Sequence, residues 1–273
     1  MMTPYFQDLH EAIQSHGGFF NAHLHLDRAG TFQPTVDLLR AEGVMDGASL
    51  SLAGKHAIIP LVHNSNCYDP QSLYDRVEPF VLDMISVGTR RADTVVDTTV
   101  DRVGLTALET FNRLKQAHAD RIDLQIGAYS PLGFRDDEPQ RWALLEEGVA
   151  MTDFIGLLPE RDDKDDYPEH IGFEESCRRG ISLAHAAGKQ IHIHVDQAFH
   201  QYEAATELVA KVVRDMGMGI PQGGEPFIWL IHVLSPSTYD EGRFSALASE
   251  LADLNIGVIS CPGAAISMRQ YRP

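Results

Sequence analysis

The stretch NAHLHLDRAG, residues 21–30, ends an apolar run with two histidines that are separated by one residue. The run GFFNAHLHL predicts a β-strand, because apolar and polar residues alternate at its end. Residues i and i+2 of a strand point to the same face, so we expect His23 and His25 on one side. Two such imidazoles either bind one metal ion or form an ordinary hydrogen-bonded pair, and the rest of the chain has to decide between these interpretations.

Two later apolar segments also end in histidine. IHIHVDQ carries His192 and His194 on one predicted strand, and WLIHVLS carries His232 on the next. A lone histidine at a strand end is more often a structural residue, but three strands that all end in histidine are hard to explain by packing. Neutral imidazole is a common ligand for zinc and ferrous iron. The pattern therefore favours one divalent metal ion that activates water for hydrolysis.

Short apolar runs alternate with longer amphipathic stretches along the 273 residues. Consecutive runs are mostly about 30–35 residues apart, the size of one βα repeat, which predicts a parallel sheet with helices outside it. An open doubly wound sheet and a closed (β/α)8 barrel both fit. The barrel is favoured, because no G-x-G-x-x-G motif follows an early strand and histidines gather at strand ends. The predicted strands are 18–26, 93–100, 122–130, 152–158, 190–195, 227–233 and 256–261.

No low-complexity segment or linker divides the chain, so residues 1–273 are predicted to form a single barrel domain. The first βα connection, about residues 28–69, is far longer than the usual connection of about two to six residues, and such long loops are often lids. The loop carries His56, His63 and Cys67, which either close over a substrate or lie on the surface.

Composition excludes several partners. The formal net charge of −17 repels phosphate backbones and anionic membranes, so neither nucleic acid nor a membrane is expected as a partner. The acidic run of residues 160–169 is expected to be a solvated loop. The cysteines, Cys67, Cys177 and Cys261, are far apart and fit a reducing compartment. Because the sequence has no recognisable signal peptide or membrane span, we predict a cytoplasmic protein. Its expected partner is a small-molecule substrate, and whether the chain forms a homo-oligomer is left open.

The motifs NAHLHLDR, HIHVDQ, WLIHVLS and ISCPGAAISMRQ follow one another in this order on successive predicted strands. Together they resemble the amidohydrolase superfamily, and within it the cytosine-deaminase-like branch that includes N-isopropylammelide aminohydrolases. The resemblance covers nearly the whole chain from about Gly17. It implies a metal-dependent, deaminase-like hydrolase that acts on a non-peptide C–N bond, in a cyclic amide or an amino-substituted heterocycle.

The resemblance also implies roles for individual residues. His23, His25 and His194 would hold one divalent metal ion, either Zn²⁺ or Fe²⁺. His232 would contact the water at that metal or the developing oxyanion. SCPGAAI, residues 260–266, would form part of the substrate wall. No lysine stands at the end of the predicted fourth strand, so a carboxylated lysine bridging two metals is not expected.

Three departures from the family pattern modify these expectations. Gln197 replaces the glutamate that follows the strand-five histidine, and an amide can orient a substrate but cannot carry a proton as a carboxylate does. Ser130 and Pro131 stand where cytosine deaminases carry a pyrimidine-reading glutamine, so cytosine is a poor candidate substrate. The sequence also ends before an eighth strand with the family's metal-binding aspartate, and it lacks the flanking β-sandwich.

Two explanations of the missing eighth βα unit are open. An incomplete reading frame is favoured over a barrel that lacks this unit, because an open barrel would expose unpaired strand edges. The alternative to an enzyme is a catalytically impaired barrel that only binds a ligand or a partner.

Overall fold

The computed structural model of the protein describes residues 3–41, 43, 52–217 and 224–267. Seven strands occur in these ranges and form a single sheet in which each strand neighbours the next one along the chain. Helices alternate with these strands, so the predicted fold class, a TIM-like (β/α) barrel, is confirmed. The strands are β1 Phe19–Leu24, β2 Thr89–Asp97, β3 Asp123–Tyr129, β4 Phe154–Leu157, β5 Ile191–Val195, β6 Ile228–His232 and β7 Ile256–Ile259.

Eleven α-helices lie in the described ranges, and no helix there is long and apolar enough to cross a membrane. They are α1 Pro4–Ser15, α2 Phe32–Ala41, α3 Leu52–Ala57, α4 Ile59–His63, α5 Pro70–Ser86, α6 Thr106–Ala117, α7 Gln140–Ala150, α8 Phe173–Ala187, α9 Ala205–Met216, α10 Glu241–Asp253 and α11 Pro262–Ser267. Helix α8 ends at Gly188, which adopts the left-handed conformation that a glycine accommodates without strain.

Backbone contacts divide the chain into two compact units, Met1–Gly127 and Ala128–Pro273. The prediction of a single domain over residues 1–273 stays a prediction. In the first unit, β1 pairs in parallel with β2, and Leu24 lies opposite Thr94. Helices α5 and α6 pack against β2, whose Val95 and Val96 are fully buried. This pairing places the carboxyl ends of β1 and β2 side by side.

In the second unit, strands β4 to β7 pair in parallel in sequence order. His194 of β5 lies opposite Ile231 of β6, and Val195 lies opposite His232. Helix α8 packs closely on β4 and β5 at Gly180, where an added Cβ would lie 2.7 Å from Cδ2 of Leu157. The register therefore brings the histidine-bearing ends of β5 and β6 to the same edge of the sheet.

The long first connection is helical rather than irregular where it is described. It contains α2, α3 and α4 and a short 3₁₀ helix at Asn66–Tyr68, while residues 42 and 44–51 lie outside the described residues. His63 is 0% exposed and Cys67 is 2% exposed. The surface-loop interpretation is therefore wrong for these two residues, because the end of the connection packs into the first unit.

Candidate functional site

His23 and His25 stand at the carboxyl end of β1. Strand β1 ends at Leu24, and His25 is the first residue beyond it. The two imidazole centroids are 5.2 Å apart and the rings meet edge to face. The chain that follows is fixed to β2, because the Leu26 amide donates to Oγ1 of Thr94 over 3.0 Å. The first unit thus holds this pair of imidazoles close together, as the alternation in the sequence predicts.

A buried polar network follows the histidine pair in the first unit. Asp27 is fully buried and accepts hydrogen bonds from the backbone amide of Asp97 over 2.9 Å and from the Tyr68 hydroxyl over 3.0 Å. Arg28 forms a bidentate ion pair with Asp97, and His63 donates to the same carboxylate. Burial, together with the negative charge of Asp97, raises the pKa of Asp27 to about 6. The network anchors the end of the first connection to β2.

His194 carries the clearest signs of a metal ligand in the second unit. It is 2% exposed, and its Nδ1–H donates to the carbonyl oxygen of Leu157 over 3.0 Å. A carbonyl only accepts, so the lone pair of a neutral ring lies on Nε2, the atom that would bind a metal. The ring lies 5.0 Å from that of Tyr129 and 5.6 Å from that of His232. His192 on the same strand instead packs on Phe154, with ring centroids 4.3 Å apart.

His232 ends β6 in an unusual backbone conformation. His232 and Val233 have φ values of 77° and 50°, in the left-handed region that non-glycine residues rarely adopt. Backbone hydrogen bonds hold this turn, since the amide of Val233 donates to Val195 and that of Leu234 donates to Asp196. Burial lowers the pKa of His232 to about 4, so the ring is neutral at pH 7. Its Nδ1 is buried and has no hydrogen-bond partner among the described residues, which suits contact with a ligand.

Gln197 and Glu160 meet just beyond β5 and β4. Nε2 of Gln197 donates to Oε2 of Glu160 over 2.9 Å, and Oε1 of Glu160 accepts from the Asp196 amide over 2.6 Å. Burial raises the pKa of Glu160 to about 8. The carboxylate of Asp196 in turn accepts from the amides of Ala205 and Thr206 and caps the start of α9. These contacts tie the segment after β5 to both neighbouring connections.

Glu160 is not predicted as a site residue from the sequence, because the whole acidic run 160–169 is expected to be a solvated loop. That expectation is wrong at the start of the run, where residues Pro159–Asp162 form a 3₁₀ helix and Asp162 is fully buried. Asp162 accepts a hydrogen bond from the amide of Phe134 over 2.6 Å. The available signal was position: Glu160 follows β4 at the strand end where barrels carry their functional residues.

The three predicted metal ligands, His23, His25 and His194, are all histidines that stand at strand ends. His23 and His25 belong to the first unit and His194 to the second, and their joint binding of one ion stays a prediction. An all-imidazole set fits Zn²⁺ or Fe²⁺, which both accept histidine ligands. The predicted substrate wall, residues 260–266, includes the start of α11, and its role stays a prediction. Residues 268–270 of the same motif lie outside the described residues.

The strand order and the alternating helices define a TIM-like (β/α) barrel with histidines at several strand ends. No family model matches the sequence. An uncharacterized protein of Haemophilus influenzae is 26% identical over 257 residues, which cover 94% of this chain and 85% of that protein. The predicted resemblance to the amidohydrolase superfamily is confirmed for the fold by solved structures.

Three of these structures illustrate the likeness. A 5-methylcytosine deaminase of Klebsiella pneumoniae has a TM-score of 0.64 at 24% identity, covering 91% of this chain and 55% of its own. An N-isopropylammelide isopropylaminohydrolase of Burkholderia multivorans has a TM-score of 0.62 at 16% identity, covering 93% and 59%. A zinc complex of an atrazine chlorohydrolase of Arthrobacter aurescens has a TM-score of 0.59 at 13% identity, covering 93% and 55%. The chain thus spans little more than half the length of these structures.

Proposed function

We propose that the chain is a metal-dependent hydrolase of the amidohydrolase superfamily that acts on a non-peptide C–N bond. Its substrate class is a cyclic amide or an amino-substituted heterocycle. The observation that carries the proposal is that histidines stand at the carboxyl ends of three strands: His23 and His25 at β1, His194 at β5 and His232 at β6. The fold adds support, because solved structures that share it are named as a deaminase and an aminohydrolase.

The proposed metal ligands are His23, His25 and His194, and the ion is Zn²⁺ or Fe²⁺. Three imidazoles leave a fourth position open, which is typical of catalytic rather than structural zinc sites. The solved atrazine chlorohydrolase complex contains zinc, which supports the choice of metal. When bound, such an ion supplies Lewis acidity and lowers the pKa of water toward neutrality.

His232 and Gln197 have the two remaining roles in the proposed mechanism. The neutral His232 ring is desolvated, and its Nδ1 lacks a partner among the described residues, so it can stabilise charge that develops on the substrate. Gln197 orients the substrate through its amide. Water adds to an sp² carbon, and the nitrogen then leaves as an amine or ammonia; in a cyclic amide the ring opens instead.

The proposal also includes the cellular setting. We place the protein in the cytoplasm, where its cysteines Cys67, Cys177 and Cys261 stay free thiols. Its partner is a small-molecule substrate, and the acidic charge argues against nucleic acid and anionic membranes.

Turnover by the metal-loaded chain tests this function. The chain is loaded with Zn²⁺ or, anaerobically, with Fe²⁺, and is incubated with aminopyrimidines, aminotriazines and lactams. We expect ammonia release or ring opening that a chelator abolishes and added metal restores. If one equivalent of metal binds and no compound is turned over, the barrel that only binds a ligand becomes the better account. If H232Q retains full turnover, the role given to His232 is wrong.

A further inference from the structure

The pair formed by Gln197 and Glu160 offers more than the hydrolytic centre requires. Gln197 is only 4% exposed, and its amide nitrogen is hydrogen-bonded to the Glu160 carboxylate over 2.9 Å. Both residues lie in the unit Ala128–Pro273, directly after two neighbouring strands. A buried amide that is held by a carboxylate has a defined orientation, and the orientation decides what the amide can recognise.

The chemistry of the pair dictates which end of the amide faces Glu160. The two ends of a glutamine amide differ in being a donor or an acceptor, and an ionised carboxylate only accepts. While the Glu160 carboxylate is ionised, the NH₂ end of Gln197 therefore faces it, as the hydrogen bond between them shows. The carboxylate is itself fixed, because its other oxygen accepts from the backbone amide of Asp196 over 2.6 Å. This backbone donor cannot rotate away.

The opposite end of the Gln197 amide is available to a ligand. Within the described part of the chain, Oε1 of Gln197 accepts no hydrogen bond, and it does not belong to the fully buried atoms that lack a partner. This oxygen therefore keeps its capacity to accept a hydrogen bond from a ligand. A carbonyl oxygen at the end of a buried, fixed amide favours a donor and disfavours another acceptor.

We propose that Glu160 is a positioning residue that selects substrates by fixing the Gln197 amide with its carbonyl oxygen toward them. The substrate then presents an N–H donor at this point, either a ring N–H or an exocyclic amino group. A compound with only acceptors at the same position is rejected. This inference rests on the proposed function for the identity of the ligand, but the orientation of the amide can be measured without any ligand.

The substitution E160Q makes a sharp prediction because of the Asp196 amide. The oxygen of the new side chain must accept from that amide, so its NH₂ group faces Gln197. The Gln197 amide is then reversed and presents NH₂ to the ligand. The double variant E160Q/Q197E places a carboxylate at position 197, which again presents an acceptor. E203Q is the matched control, since the Glu203 carboxylate bonds the Ala198 amide and the Ser235 hydroxyl instead.

Amide NMR on the metal-free, ¹⁵N-labelled chain tests the orientation. Measurements are made at pH 9, above the pKa of Glu160, and the Gln197 side-chain signal is identified by its loss in Q197E. We expect slow hydrogen exchange of this NH₂ group in the wild type and in E203Q, and exchange at least tenfold faster in E160Q. Equal exchange rates in E160Q and the wild type would overturn the proposed orientation.

Binding of two triazines to the zinc-loaded chain tests recognition. Melamine carries an amino group at each exocyclic position, and 2,4,6-trimethoxy-1,3,5-triazine carries acceptors only. We expect calorimetry at pH 9 to give at least tenfold tighter binding of melamine to the wild type and E203Q. The preference should disappear or reverse in E160Q and return in E160Q/Q197E.

The two experiments separate this inference from the proposed function. A wild type with no preference for melamine, including a wild type that binds neither triazine, would overturn the recognition role. An E160Q chain with the wild-type preference would do the same. If the amide orientation is confirmed while the metal-loaded chain hydrolyses nothing, the hydrolase proposal fails and the positioning of Gln197 by Glu160 stands.

Discussion

The Nδ1–H of His194 donates a hydrogen bond to the carbonyl oxygen of Leu157 over 3.0 Å. Leu157 is the last residue of β4, and His194 lies near the end of β5, so the pairing of two strands determines this contact. The proton is thereby fixed on Nδ1, so in a neutral ring Nε2 is the atom that carries the lone pair and would bind a metal ion. The backbone carbonyl of Leu157 thus sets the tautomer of the proposed ligand His194. The proposed site therefore depends on the close packing that holds Leu157 in place.

Gly180 allows helix α8 to approach Leu157. A Cβ at Gly180 would lie 2.7 Å from Leu157 and 3.3 Å from Ile191, and both side chains are fully buried. We expect G180A to lower the free energy of unfolding by about 1–3 kcal/mol, because overpacking outweighs the roughly 1 kcal/mol by which alanine favours a helix. Urea denaturation measures this change.

The control for G180A is G242A in the first turn of α10. There the nearest atom to the new Cβ is the Asp240 carboxylate at 3.3 Å, and Asp240 is exposed and can move. We expect G242A to leave the stability unchanged or slightly raised. If G180A is as stable as G242A, helix α8 does not pack on Leu157 as closely as described.

His63 makes the stability of the chain depend on pH. Burial by itself lowers the pKa of His63, but hydrogen bonds to Asp101 and Asp97 outweigh it and raise the pKa to about 9. A raised pKa stabilises the fold fully below the ordinary value of 6.5, and this contribution is lost as the pH rises through 9. We therefore expect H63Q to cost about 3 kcal/mol at pH 6, with a deficit that shrinks by pH 10.

Urea denaturation between pH 6 and pH 10 measures the difference between H63Q and the wild type. D69N is the control, because Asp69 pairs with Arg102 where both side chains are nearly half exposed. Such a surface pair contributes less than about 1 kcal/mol, and its loss should not vary over this pH range. Parallel stability curves for H63Q and the wild type would show that His63 is not protonated between its two carboxylates.

Asp196 stabilises the start of α9 with both of its carboxylate oxygens. They accept from the amides of Ala205 and Thr206 over 3.0 and 2.9 Å, and Asp196 itself has a φ of 53° that alanine tolerates poorly. We expect D196A to lower the free energy of unfolding by about 2–3 kcal/mol. D240A removes the exposed cap of α10 and should cost only about 0.5–1 kcal/mol. Thermal unfolding that shows equal losses would contradict the role given to Asp196.

The strands could be predicted from the sequence, because each is a short apolar run that both core packing and strand pairing favour. Six of the seven predicted runs contain an observed strand in full, and the seventh overlaps β2. The ends of the strands were less certain: the run 93–100 was predicted where β2 is Thr89–Asp97. Thr98 lies beyond the strand, and Thr99 forms an isolated bridge with Gly104 instead of extending the ladder. The helices α2 to α4 of the first connection were not predicted; His63 at the end of α4 bonds Asp97 and Asp101, which are more than 30 residues away.

The candidate site likewise contains residues that a local sequence pattern predicts and residues that only tertiary contacts reveal. His23, His25 and His194 stand out in the sequence because histidine pairs at strand ends are a local pattern. Glu160 does not, because the residues after it look solvated and its partners Asp196 and Gln197 are more than 30 residues away. The burial of His63 likewise depends on contacts over long sequence distances. Local patterns predicted the proposed ligands, and only tertiary contacts revealed the groups that hold neighbouring side chains in place.

The most direct test of the account is the metal content of three proteins purified without chelators and reconstituted with Zn²⁺: the wild type, H194Q and H192Q. His192 is the matched control, since it lies on the same strand, is equally buried and packs on Phe154. We predict about one equivalent of zinc in the wild type and in H192Q, and less than a tenth of an equivalent in H194Q. Zinc that is absent from the wild type, or that H194Q retains in full, would contradict the proposed metal centre.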